Sequence, residues 1–153
     1  MPSLVPGSRY RPEQLLPHRG PMLLLDEIDD YGAEWVRSIV RIGSDSLLIG
    51  DAGVPAWVGI EYMAQTAAAW SGIEQLQNGL QPGVGFLLGS RRYHCLQNYF
   101  AVGSELRITA QLLLRDANDL AIFRCAIQHN EVRLAWADIK AFRPQDAGEF
   151  MGR

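Results

Sequence analysis

The segment VPAWVGIEYMAQTAAAWSG, Val54 to Gly72, decides how the rest of the chain reads. Pro55 and Ala56 suit the first turn of a helix, where proline's fixed φ is tolerated and its missing N–H is no loss. The run that follows is helical and apolar on almost every side, and it ends near Asn78, where Asn78-Gly79 supplies a stop signal. Between Trp57 and Trp70 the only ionisable side chains are Glu61 and Tyr62, and Gln65 follows Glu61 one turn later on the same face. A carboxylate buried without a partner costs roughly several kcal/mol or takes up a proton. An acid perturbed in this way exchanges protons near neutral pH, as general acid–base chemistry requires. The competing reading is structural, with Glu61 complementing the helix dipole or reaching solvent.

Outward from this helix the chain reads as strands. Upstream, residues 1–14 look like a loose arm, and LLPHRGP is a loop punctuated by Pro17, Gly20 and Pro21. MLLLDEI, Met22 to Ile28, reads as a buried strand, and after the turn signal DDYGAE its partner is Trp35 to Ile42. Downstream, GVGFLLGSRRYHCL is a strand in which Gly85 and Gly89 suggest a bulge or close backbone approach. SELRITAQLLLRD alternates over Leu106, Ile108, Ala110 and Leu112, and a turn at Asn118-Asp119 leads to Ala121, Phe123, Cys125 and Ile127. After the turn HNE, the last strand presents Ala135, Ala137, Ile139 and Ala141, mostly small, as a sheet face needs under a close helix. The tail from Pro144 has no pattern. The order predicts an α+β fold, an antiparallel sheet with one apolar helix on one face. Because one flat sheet cannot cover such a helix, the sheet curls around it or a second chain covers the remainder.

At 153 residues one domain spanning 1–153 is expected, with its core at about 14–143. Hydrophobic residues at 48% and charged residues at 20% are ordinary for a soluble globular protein. A net charge of -3 argues against nucleic-acid partners. No run reaches the ~18 apolar residues of a membrane span, and the arginine-bearing N-terminus does not resemble a signal peptide, so a cytoplasmic protein is expected. Cys95 and Cys125 lack disulfide-framework or metal-site spacing and read as small core hydrophobes; no metal is expected. GVGFLLG lies at a strand start with no helix behind it, so it does not read as a nucleotide loop.

Two segments carry a resemblance. Pro17, His18, Arg19 and Pro21, followed by Asp26, and then Glu61, Met63, Ala64 and Gln65, resemble in order and spacing the hotdog-fold β-hydroxyacyl-[acyl-carrier-protein] dehydratases of fatty acid synthesis. Trp57, Thr66, Trp70, Ser71 and Gly72 are further similar to a subgroup from aryl polyene pathways. The resemblance implies a curled sheet wrapping one helix, pairing of domains into a homodimer or a heterodimer with a paralogous hotdog chain, and acyl tunnels along the interface. It implies loss of water from a carrier-bound β-hydroxyacyl thioester to give a trans-2-enoyl thioester, with Glu61 as catalytic acid/base. Gln65, Pro55, Ala56 and Trp57 would bind substrate, and N–H groups of the helix start would polarise the thioester carbonyl. The substrate arrives on the phosphopantetheine arm of an acyl carrier protein, and no cofactor is needed.

One departure is chemical. The family's loop carries His-Phe-Pro-Gly-x-Pro before the helix; aligned without a gap, LLIGDAGVPAW puts Leu47 at the histidine position. Leucine cannot titrate as imidazole does. Among His18, His94, His129 and Asp51, His18 is the best replacement, since its loop leads toward the helix start. Two alternatives are a non-catalytic subunit paired with an active paralogue, and a thioesterase in which a helix carboxylate activates water. Arg91 and Arg92, adjacent in a strand, are expected on opposite faces, where one could meet the carrier's phosphate or both could be solvated. Trp35, Trp136 and Phe142 read as packing or interface residues.

Overall fold

The computed structural model describes residues 10–82, 86–118 and 120–142. In chain order the elements are α1 (Pro12–Leu15), β1 (Glu27–Tyr31), β2 (Trp35–Arg41), β3 (Val54–Pro55), α2 (Gly59–Gln77), β4 (Phe86–Cys95), β5 (Tyr99–Phe100), β6 (Glu105–Arg115), β7 (Leu120–His129) and β8 (Val132–Phe142). A 3-10 turn at Ala56–Val58 feeds α2, and another covers Gly20–Met22. Six strands form one antiparallel sheet in the order β1-β2-β6-β7-β8-β4, and β3 pairs only with β5. The sheet lies around α2, the one long helix among the described residues.

The alternation read from the sequence sets the core face. Leu106, Ile108 and Ala110 of β6, Phe123, Cys125 and Ile127 of β7, and Ala135, Ala137 and Ile139 of β8 are buried against α2. Val58 of the 3-10 turn and Tyr62, Met63, Ala67, Ala69, Trp70 and Ile73 of α2 meet them. Inside this apolar contact, Ser38 of β2 and Thr66 of α2 share a hydroxyl hydrogen bond of 2.7 Å, and Thr66 donates to the Tyr62 carbonyl at 2.7 Å. Every polar group of that pair thus has a partner at no exposure, which avoids the cost of an orphaned hydroxyl. Cys95 and Cys125 are both free, and burial pushes the Cys125 thiol up.

Several expectations are corrected. The segment Met22 to Ile28 is not a strand throughout: β1 begins at Glu27, and the backbone before it is held by a helix side chain, as described below. The arm predicted over 1–14 contains α1, where Pro12 and Leu15 are buried, and Leu15 lies on Gly72 of α2 so closely that a Cβ there would sit 2.7 Å from the Leu15 carbonyl. Residues 1–9 lie outside the described residues, as do Gly85, Asp119 and the tail from Pro144. The loop before the helix contributes β3, and β5 was not anticipated, because strands of two residues carry no periodicity. At Gly89 the register of β4 against β8 shifts, so the glycine marks a bulge; no atom lies close to where its Cβ would be. A second irregularity lies between Arg91 and His94, and Arg92 within it is exposed; the Arg91 side chain, and with it the expectation for the pair, lies outside what is described.

The two edges of the sheet differ. β1 is five residues long, and its carboxylates are held by β2: Asp29 by Arg37 at 2.5 Å, and Glu27 by Arg41 at 2.8 Å. β4 is ten residues long and interrupted twice.

Candidate active site

The site is built on the start of α2. β3 places Val54 opposite Phe100 and Pro55 opposite Tyr99, and the Ala56 N–H donates to the Asn98 carbonyl at 2.9 Å. The 3-10 turn then winds into α2 without a side-chain cap. The peptide N–H of Trp57 therefore precedes the first intrahelical bond, at the positive end of the helix dipole. Pro55 and Ala56 are half-buried, and Trp57 is 61% exposed.

Glu61 lies one turn further on and is exposed. In the single chain the sheet leaves one face of the helix uncovered, the remainder that the sequence expects a second chain to cover if the sheet does not. Trp57 and Glu61 are exposed there, and Ile60, Ala64, Ala68 and Ser71 are only partly covered. Tyr99 of β5, 45% exposed, pairs with Pro55 just before this helix start.

Gln65, buried to 3% exposure, is fully engaged. Its amide N–H donates to the Met22 carbonyl at 2.8 Å, and its carbonyl accepts the Leu24 N–H at 2.9 Å. This pair is the pattern of a ladder rung made by a side chain. It makes Gln65 a group that positions the Met22–Leu24 segment against α2, with both ends of its amide already committed.

His18 sits in the turn between α1 and Gly20–Met22 and is half-buried. Its Nδ1 is buried without a hydrogen-bond partner among the described residues. The Arg19 guanidinium donates to the carbonyls of Leu16 (2.6 Å) and His18 (2.7 Å), which fixes the turn that carries the ring. The other candidates stand apart. His94 is exposed and stacks on Trp136, centroids 5.5 Å apart, with Arg133 at 4.3 Å from the same indole. Trp136 lies on the face of β8 opposite the buried Ala135 and Ala137, so His94 is across the sheet from α2. His129 closes the β7–β8 hairpin, whose turn at Asn130 and Glu131 has φ of 49° and 67°. Asp51 is exposed in the loop before β3, and Leu47 in that loop is half-buried. Among the described residues no three metal-ligating side chains gather in one place.

Sequence reasoning did not find Tyr93. Its phenol donates to the Ala56 carbonyl at 2.5 Å, and burial, with Cys95 close by, pushes its pKa up. The only signal was its place in a strand of broken alternation.

A curled antiparallel sheet around one central helix, with a carboxylate near the helix start, defines the chain as a hotdog protein. The family model of the ApeP-like proteins, described as ApeP dehydratase, matches residues 10–152, and the chain belongs to that family. Among solved structures it is similar to a chain of the dehydratase heterocomplex ApeI:P from Xenorhabdus doucetiae, with 27% identity, a TM-score of 0.86, and 95% of this chain and 97% of that one covered. It also shares its fold with the PaaI protein of the E. coli phenylacetic acid degradation operon (13% identity, TM-score 0.60, 76% and 81% covered). A hypothetical thioesterase with coenzyme A from Streptococcus pneumoniae is a further fold relative (15% identity, TM-score 0.61, 79% and 88% covered). No curated protein sequence matches the chain significantly.

Proposed function

We propose that this chain is one half of a dehydratase acting on carrier-bound β-hydroxyacyl thioesters of an aryl polyene type pathway, with Glu61 as catalytic acid/base. The observation that carries the reading is the exposed Glu61 carboxylate one turn from the exposed Trp57 indole, on the face of α2 that the sheet leaves open and a second chain would cover. Leu47 supplies no imidazole in the loop, so the histidine comes from the partner, a paralogous hotdog chain. The family membership and the likeness to a heterocomplex support this arrangement.

In the reaction one group takes the α-proton and the other protonates the departing β-hydroxyl. The C–O bond breaks, a trans double bond forms between the α and β carbons, and water leaves. The N–H groups at the start of α2, beside Pro55, Ala56 and Trp57, stabilise the charge developing on the thioester oxygen. Covering the site by a second chain would exclude water and strengthen these interactions.

A second reading keeps the dyad within copies of this chain, with His18 as the base. The unpartnered, buried Nδ1 of His18 favours it, since such a group awaits a partner. The test is the purified chain, alone and with the hotdog chain that copurifies with it, given a β-hydroxyacyl-carrier thioester and followed by mass spectrometry. Water loss by the pair alone, abolished by Glu61→Gln, is expected. Water loss by the chain alone, abolished by His18→Gln, would replace the first reading with the second. Release of a free acid would point to thioester hydrolysis instead.

A further inference from the structure

β4 is irregular where it passes the start of α2. Arg91 pairs with Asp138, but His94 pairs with Trp136, so β4 carries one residue more than β8 across this interval, and Arg92 takes a φ of 57°. Ser90 lies opposite the inward-facing Ile139. Unbroken alternation from there would send position 92 and His94 toward the helix and Tyr93 outward. The extra residue reverses this. His94 stacks on the outer Trp136, Arg92 is exposed, and Tyr93 turns in to donate its O–H to the Ala56 carbonyl. Bulges next to sites commonly re-aim a side chain in this way.

The receiving turn is built for that hydroxyl. Ala56 is held at both of its backbone groups from outside the helix, its N–H by the Asn98 carbonyl and its C=O by Tyr93. A Cβ at position 59 would fall 2.3 Å from the Tyr93 hydroxyl, 3.0 Å from Ile127 and 3.2 Å from Phe100, so alanine, which a helix would otherwise favour in this first turn, would displace the phenol from its seat. A left-handed arginine in a strand and a glycine in a helix are both unfavourable locally, and both adjoin the seat of this phenol.

We propose that Tyr93 is a positioning residue for the dehydration. It fixes the first turn of α2, so that the Trp57 N–H and the Glu61 carboxylate one turn later keep a set placement toward the thioester. This rests on the reading of Glu61 as acid/base. The test is Tyr93→Phe in the complex of this chain with its copurifying hotdog partner, with Glu61→Gln run beside it. Tyr93→Phe should lower kcat roughly tenfold to a hundredfold, as a small misplacement does, with KM for the carrier thioester nearly unchanged. Both limbs of the pH–kcat profile should stay where wild type has them, and amide exchange over positions 57 to 60 should quicken. Gly59→Ala, which pushes the phenol away without removing it, should give a similar loss, and the double variant should be no worse than the worse single one. Wild-type kcat in Tyr93→Phe, a lost pH limb, or losses that multiply in the double variant would overturn the inference. Turnover surviving in Glu61→Gln would overturn the acid–base reading and this inference with it, whereas turnover lost in Glu61→Gln but intact in Tyr93→Phe overturns the inference alone.

Discussion

At Gln65 one amide performs the task of a β-bridge, accepting the Leu24 N–H and donating to the Met22 carbonyl while itself almost wholly buried. Replacing it with leucine keeps the volume and removes both bonds, leaving two partly buried backbone groups unpaired. We expect Gln65→Leu to lower stability by about 1–3 kcal/mol, read as a shift in denaturant midpoint with an unchanged slope. An unshifted midpoint would mean the bridge contributes nothing net. Tyr62 offers a test by pH. Burial, with the charge of Asp26 adding, pushes its pKa from 10.0 up to about 12. The unfolded chain therefore releases this proton first as pH rises, so the stability Tyr62 contributes is intact below pH 10 and lost between about 10 and 12. The slope from one such group is about 1.4 kcal/mol per pH unit. Tyr62→Phe should flatten stability over that alkaline interval, and an unchanged alkaline slope would contradict the burial effect.

Between elements, α1 approaches α2 closely at Gly72. Alanine there gains helix propensity of about 1 kcal/mol but drives its methyl into the Leu15 backbone, which has no flexible end to move aside. Gly72→Ala should therefore destabilise by about 1–3 kcal/mol in thermal or chemical unfolding, against its propensity; a rise in stability would show that α1 yields freely. This contact also marks where the sequence stopped being legible. The three long strands β6, β7 and β8 and the helix were readable because their apolar residues recur with the period of the element, as in Leu106, Ile108 and Ala110. α1 is too short for a period to appear, and the run before β1 is apolar enough to mimic a strand while its hydrogen bonds go to Gln65. The candidate site was legible only as a proposal, to the extent that a lone carboxylate on an apolar helix stands out. Tyr93 was hidden because its direction depends on a bulge, and one extra residue in a strand leaves no mark in composition. The exposure of Glu61 was likewise a matter of which helix face the sheet leaves uncovered, which is decided by curl rather than by any local pattern.

For the molecule as a whole, the uncovered face of α2 that carries Trp57 and Glu61 predicts association. Trp57→Ser should weaken the proposed pairing of this chain with a paralogous hotdog chain, seen as a shift toward single chains in light scattering after size exclusion, while the separated chain keeps its melting temperature because the indole is largely outside the core. A complex of unchanged size would place the interface elsewhere. The unequal edges of the sheet bear on how far association can go. β1 is short and its carboxylates are tied down by Arg37 and Arg41, which makes it a poor template for another strand, while the kinks in β4 accept only a strand that follows them. A sheet that can be extended at one end only, and only by a matching contour, closes after a single addition. Such a chain can leave one face of its helix open for the proposed partner without growing into filaments when it is made in excess.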